Sequence, residues 1–342
     1  MFFFCYNGNV STTKHESGVT MKNKPVTIRD VAREAGVGVG TVSRVLNSGS
    51  VKEDTRKRIQ ETIKKLGYKP NMFARTLAGG KSRRILALIP EVKTEFHWRI
   101  LESFDHEIDK EDYQSIIYPL ISQKRYDALI NNPSFAQEVE GVVIMTITPS
   151  IFNDGIRIKV PVVLIEEFKE NYSCVYLNNL NGGRIAANHL LERDITKYYA
   201  IYSSVSNPYI KNEHMRERVT GFKNTLKSKG IPFDDDQIIY ADYSMGPSNE
   251  LIKKMLTETK RPGIFAMTDN FALLVMQVAS TIGLIPGKDF FLVGYDNQTW
   301  TEKAGLTTIE QPIEEFGKVG ARLLLERIKN PETPKKYYIK GG

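Results

Sequence analysis

The chain has 342 residues, 41% of them apolar, with 16 Phe, 16 Tyr and a formal net charge of +7. That length suits a small module joined to a larger one, with aromatic side chains enough to fill real cores. No apolar run approaches the roughly 20 residues that cross a bilayer, and no export-signal core of about 7 to 15 apolar residues follows Phe2, Phe3 and Phe4. The two cysteines, Cys5 and Cys174, give neither a disulfide framework nor metal-ligand spacing.

Residues 1–20 lack periodicity and precede Met21, so they read either as a disordered tail or as a stretch ahead of the natural start. From Thr27 the pattern sharpens. Ile28, Val31, Ala32 and Ala35 stand at the i, i+3, i+4, i+7 spacing of one buried helix face. Thr27 occupies an N-cap position with Asp30 three residues on, and Gly36 can take the left-handed conformation that stops a helix. A second short helix carries Val42, Val45 and Leu46 inward and Thr41, Ser43 and Arg44 outward. Two small helices joined by a glycine turn form a helix-turn-helix, whose second helix lies in the major groove of DNA. Two ordinary surface helices are the plainer alternative.

A third helix puts Ile59, Ile63 and Leu66 on one face. Glu53 and Asp54 at its start and Lys64 and Lys65 at its end complement its dipole. The three helices predict a core of about a dozen apolar side chains, too small for great stability alone. Charge supports the DNA reading: residues 21–84 hold 16 Lys and Arg against 5 Asp and Glu, while residues 85–342 hold 30 against 34. A strongly basic module on a mildly acidic body is the footprint of phosphate binding. Arg44 suits guanine, whose two major-groove acceptors match its fork. Thr41, Ser43, Asn47 and Thr55 are candidate phosphate partners that would position the helix. Residues 70–78 read alone as a linker with one helical turn, Pro70 suiting its start.

From Arg84 onward, β-rich runs alternate with helical stretches. Strands are predicted at 84–90, 114–120, 141–147, 161–166, 198–203, 263–267 and 289–295, and a further one is expected near Ile238. Amphipathic helices include 181–193 and 212–229. Such alternation means parallel sheets covered on both faces, divided into two lobes. In these sheets a ligand lies beyond the carboxyl ends of the strands. Phe96 and His97 follow the first strand, Tyr243 the strand near Ile238, Asp269 follows Met267 and Asp296 follows Tyr295, while Arg218 begins the run Arg-Val-Thr-Gly-Phe222. Aromatic faces with a few charged hydrogen-bonding groups suit a sugar. Taken singly, Tyr243 is more often partial core, Asp269 a helix cap and His97 a surface side chain. Trp300 could stack on a sugar or pack between lobes.

The runs Thr27–Asn47 and Thr55–Ala78 resemble the DNA-binding headpiece of the LacI/GalR family of bacterial transcription regulators. The resemblance continues, more diluted, over about residues 26–338. It implies a small all-α headpiece over residues 21–69, a hinge helix and linker over 70–83, and a two-lobed, doubly wound, periplasmic-binding-protein-like α/β body over 84–342. It implies that Val39 and Gly40 are the variable base-reading pair, and that Gly38 stands where the family usually has Ser. Asn71, Ala74 and Leu77 would contact DNA from the hinge, Leu77 wedging into the minor groove. In the body, Arg218 and Asp296 match the family's effector pocket best. Phe96, His97 and Tyr243 match it by position, and Asp269 follows Thr268 where the family often has Asn. Asn178 stands where the family more often has Asp. The family is weighted toward carbohydrate effectors, with a purine-binding minority.

The expectation is therefore a cytoplasmic regulator, a repressor acting as a homodimer on palindromic operator DNA. It would answer to a mono- or disaccharide and use no cofactor. An enzyme is the main rival, but the chain carries no GxxxxGK[ST], no GxSxG and no paired-His zinc motif. An exported sugar-binding protein of the same body fold is the third reading, disfavoured by the basic headpiece and the absence of a signal peptide.

Overall fold

The first helix starts where a carboxylate can close it. Asp30 accepts the Thr27 backbone N–H at 2.9 Å and the Thr27 hydroxyl at 2.7 Å, so α1 runs Ile28–Glu34. Gly36 then takes φ +61°, and the Val37 N–H returns to the Ala32 carbonyl at 3.0 Å, turning the chain into α2 (Val39–Leu46). α3 spans Glu53–Leu66. Val31, Val42 and Ile59, one from each helix, are fully buried, and Ile28, Val37, Leu46, Ile63 and Leu66 pack around them.

The computed structural model describes residues 26–46, 49–68, 82–90, 94–131, 138–147, 158–203, 213–242, 247–335 and 337–340. The chain divides into two compact units, residues 1–79 and 80–342. The tail expected at 1–20 and most of the hinge expected at 70–83, with Asn71, Ala74 and Leu77, lie outside the described residues, as do Asn47 and Tyr243.

In the second unit the strands are β1 (Arg84–Ile89), β2 (Gln114–Pro119), β3 (Gly141–Met145), β4 (Val162–Ile165), β5 (Ser173–Leu177) and β6 (Tyr198–Ser203). They continue with β7 (Ile238–Ala241), β8 (Gly263–Ala266), β9 (Phe291–Asp296), β10 (Thr307–Glu310) and β11 (Tyr337–Lys340). The helices between them are α4 (Glu95–Asp109), α5 (Gln123–Asn131), α6 (Asn179–Leu191), α7 (Glu213–Ser228), α8 (Pro247–Glu258), α9 (Asp269–Thr281), α10 (Thr301–Ala304) and α11 (Ile313–Lys329).

One sheet has the order β11-β5-β4-β3-β1-β2 and the other β10-β9-β8-β6-β7, with every pairing parallel. β3 and β4 are buried along their whole length, which is why they are continuous apolar runs rather than alternating ones. The lobes are not consecutive in sequence. α6 leaves the first sheet to pack against α7 of the second lobe, and α11 leaves the second to pack against α4 of the first, ahead of β11. The α6–α7 contact is backbone to backbone: a Cβ on Gly183 would stand 1.9 Å from the Arg218 carbonyl oxygen, and one on Gly221 2.0 Å from that of Leu180.

Several strands stop short of their predicted ends for a local reason. Thr146 and Glu166 take φ of +52° and +56°, leaving the extended region just after β3 and β4. The strand expected at 289–295 is shifted to 291–296, because the Asp289 carboxylate accepts the Ile285 N–H at 2.8 Å and belongs to the preceding turn. β5, β10 and β11 were not expected at all. Each is four or five residues long and mixes polar with apolar side chains, so none carries a strong pattern.

Candidate functional site

In the first unit the outward face of α2 bears the predicted DNA-reading residues. Val39, Gly40 and Arg44 are exposed, and Thr41 and Ser43 are half-buried, as is Thr55 on α3. The segment after α2 is fixed by the backbone. The Gly49 N–H donates to the Arg44 carbonyl at 2.7 Å, and the Arg56 guanidinium donates to the Gly49 carbonyl at 2.7 Å. Arg56 was not among the predicted site residues. It reads in sequence as one more cation of a basic helix, and only the fold shows it holding the end of α2.

In the second unit, the carboxyl ends of the two sheets converge on Arg218. The glycine contact between α6 and α7 lets this side chain lie 1% exposed in the interior. Its Nε donates to Asn179 Oδ1 at 2.8 Å and its Nη1 to the Met267 carbonyl at 2.7 Å. Glu166, from the first lobe, stands 3.9 Å from Nη2, and Asp296, at the end of β9, stands 3.8 Å from Nη1. The guanidinium carbon lies 3.7 Å from the centroid of the Tyr295 ring, a cation–π stack. Arg218 therefore bonds to both Asn179 and the Met267 carbonyl, holding the converging strand ends together.

The carboxylates around it are similarly ordered. Glu166 Oε1 accepts the Leu177 N–H at 2.9 Å, and Asp296 Oδ1 accepts the Gln311 amide at 2.6 Å. Asp269 accepts the Gln298 N–H at 2.9 Å and the Thr308 hydroxyl at 2.6 Å. Burial outweighs the attraction of Arg218, raising Glu166 to about 7, Asp296 to about 8 and Asp269 to about 6. His97, in the first turn of α4, places Nε2 2.7 Å from the Thr146 hydroxyl and Nδ1 against that of Thr94. Burial holds its imidazole down at about 4, hence neutral. His214 at the start of α7 is also held neutral, first by burial and then by the charge of Arg218.

Of the predicted residues, His97, Arg218, Asp269 and Asp296 all lie at these strand ends. Phe96 is buried edge-on against His97, with ring centroids 5.3 Å apart. Asn178 is exposed and caps α6, accepting the Asn181 N–H at 3.2 Å; its neighbour Asn179 is the one that meets Arg218. Trp300 donates its indole N–H to Gln298 at 2.9 Å. Glu166, Asn179, Gln298 and Gln311 were missed. Only Glu166 left a signal, as an acid ending an apolar run.

The lobes also meet on the surface. Glu95 of α4 accepts the Thr299 N–H at 2.9 Å and its hydroxyl at 3.0 Å, and Arg99 donates to the Asn297 carbonyl at 3.1 Å. Among the described residues there is no cluster of metal-ligating side chains, and no helix is long and apolar enough to cross a membrane.

Known proteins share both units. Residues 27–71 match the family described as bacterial regulatory proteins, lacI family, and residues 187–339 match a periplasmic binding protein-like domain. Catabolite control protein A of Priestia megaterium is 30% identical over 316 residues, covering 90% of this chain and 94% of its own. The structure of a transcriptional regulator CelR–cellobiose complex is similar with a TM-score of 0.66 at 25% identity, covering 92% of this chain and 97% of that one. The lac repressor dimer bound to operator and the anti-inducer ONPF shares the fold with a TM-score of 0.78 at 24% identity, covering 93% and 97%. A helix-turn-helix with an exposed reading face, a basic first unit, a two-lobed parallel α/β body and relatives matched over nearly their full length lead to one conclusion: the chain belongs to the LacI family of DNA-binding transcriptional regulators.

Proposed function

We propose that the protein is a cytoplasmic repressor that binds a palindromic operator as a homodimer and answers to a saccharide held between the lobes of its body. The convergence of Glu166 from one lobe with Arg218, Asp269 and Asp296 from the other carries this reading. A molecule bound there touches both lobes and so biases their relative arrangement. Four buried polar atoms near this cluster, Glu166 Oε2, Gln311 Oε1, Gln298 Nε2 and His214 Nδ1, make no hydrogen bond within the described residues. Buried polar groups ordinarily find partners, and the hydroxyls of a sugar both donate and accept. The CelR relative's cellobiose complex supports the same ligand class.

Paired headpieces would match two half-sites, so operator symmetry would mirror protein symmetry. Effector and operator affinities are reciprocally linked: whatever factor the sugar removes from DNA binding, DNA removes from sugar binding. The test is fluorescence anisotropy on DNA from the promoter nearest the protein's own gene, at fixed salt, with and without a panel of mono- and disaccharides. The expected result is palindrome-dependent binding released by one sugar. Tight binding that no saccharide alters would overturn the sugar assignment while leaving the DNA reading in place. Binding indifferent to the palindrome would overturn the paired-headpiece arrangement.

A further inference from the structure

The first turn of α2 is nearly bare of side chains where a helix in the major groove meets base edges. In a helix-turn-helix the N-terminal residues of the second helix make those contacts. Here they are Gly38, Val39, Gly40 and Thr41. Val39 is apolar and 42% exposed. A Cβ built on Gly38 or Gly40 would meet nothing within 4 Å. Gly40 is not kept by backbone geometry either: it lies inside a right-handed helix, unlike Gly36 with its positive φ. An alanine would suit that helix better.

Direct base reading requires a donor or acceptor matched to one base edge, or an apolar group against the thymine methyl. Of the exposed residues of α2, Arg44 has the first, Val39 offers only the second and Gly40 has neither. We infer that Gly40 is a silent position in operator reading: Arg44 specifies one base pair of each half-site, Val39 adds a thymine preference, and the base pair facing Gly40 goes unread. The protein then accepts a set of operators that differ at that base pair. A regulator reading so little per half-site has many acceptable sites in a genome, since effective selectivity is the specificity ratio weighted by site frequency.

The test uses the full-length protein in competition anisotropy against operator duplexes carrying each of the four bases at each half-site position in turn. In the wild type, the position whose preference disappears in Arg44→Ala should discriminate by roughly 5- to 150-fold. Another position, varying by less than about threefold in the wild type, should acquire a preference of about tenfold or more in Gly40→Gln. Gly40→Ala should keep the wild-type profile. Circular dichroism and the melting temperature of both variants separate a lost contact from a lost fold. Three results would overturn the inference. One is an unchanged profile in folded Gly40→Gln. Another is wild-type discrimination beyond about tenfold at the base pair that responds to Gly40→Gln. The third is loss of binding to every duplex in either folded variant, which would set the glycine backbone directly against DNA.

Discussion

Arg218 lies over the face of Tyr295, its guanidinium carbon 3.7 Å from the ring centroid, while Glu166 and Asp296 flank it at 3.9 and 3.8 Å. One cation thus joins the end of β4 in the first lobe to the end of β9 in the second. Removing it breaks a buried network, taking the cation from Glu166 and Asp296 and the donors from Asn179 and Met267, and breaking such a network typically costs about 3–5 kcal/mol. Arg218→Met should lower the body's stability by about that much, read from urea denaturation. Arg218→Lys should recover little, because an ammonium cannot reproduce the planar stack and the fork of bonds to Asn179 and Met267. Near-wild-type stability in both variants would show that the cation is not what holds the strand ends.

Acidity gives a second handle on the cluster. Burial raises Glu166, Asp269 and Asp296 above ordinary carboxylate values, to about 7, 6 and 8. The folded state therefore binds more protons than the unfolded one from about pH 4 to pH 8, and these groups lose stability as pH rises through that window. His97, held near 4, and His214, also lowered, act oppositely below about pH 6.5, where the unfolded chain takes up their protons. Above about pH 6.5 the carboxyls outweigh the histidines, so the melting temperature of the body should fall between about pH 6.5 and 8.5 at constant ionic strength. Asp296→Asn should flatten that slope. A wild-type curve that rises over the same interval would mean these carboxyls ionise readily in the folded protein.

The DNA-reading face gives a third expectation. Arg44 is exposed on α2 and offers a fork matched to guanine. Arg44→Ala should weaken specific binding by about 1–3 kcal/mol and flatten discrimination at one base pair. The salt dependence should change little. Discrimination that survives, with a salt slope shallower by about one phosphate, would make Arg44 a backbone contact instead.

The headpiece core is small, so each member matters. Ile59 is fully buried among Val31, Val42 and Val45. Ile59→Ala should cost about 2–5 kcal/mol, comparable to the whole stability of so small a unit. Calorimetry should show the headpiece transition weakened or lost and that of the body unmoved. A shift of both transitions together would mean that the two units melt as one.

The sequence and the structure agree most closely where structure is local. The capping carboxylate of Asp30, the turn at Gly36 and the apolar stripe of α1 each lie within a few residues, so adjacent side chains dictate them. β1, β3 and β4 are legible because burial on both faces demands unbroken apolar runs. β10 (Thr307–Glu310) is not, since it is short, mostly polar and defined only by pairing with β9. The site divides along the same line. Arg218 and Asp296 stand out through family resemblance, whereas Asn179, Gln298 and Gln311 gain their roles from strand ends that meet only after folding. The enclosure of Arg218 by Asn179, Met267, Glu166 and Asp296 is likewise a property of the assembled interior, written in no single motif.

The return of the chain through α11 to β11 also sets an order of events during synthesis. β5 acquires its neighbour β11 only when Tyr337–Lys340 have been made, whereas α1 to α3 are complete by Leu66. At translation rates of roughly 5–20 residues per second, the interval is on the order of tens of seconds. A nascent chain thus has its DNA-reading helices long before it has the finished sheet of its first lobe, so the module that grips DNA is born ahead of the one proposed to control it.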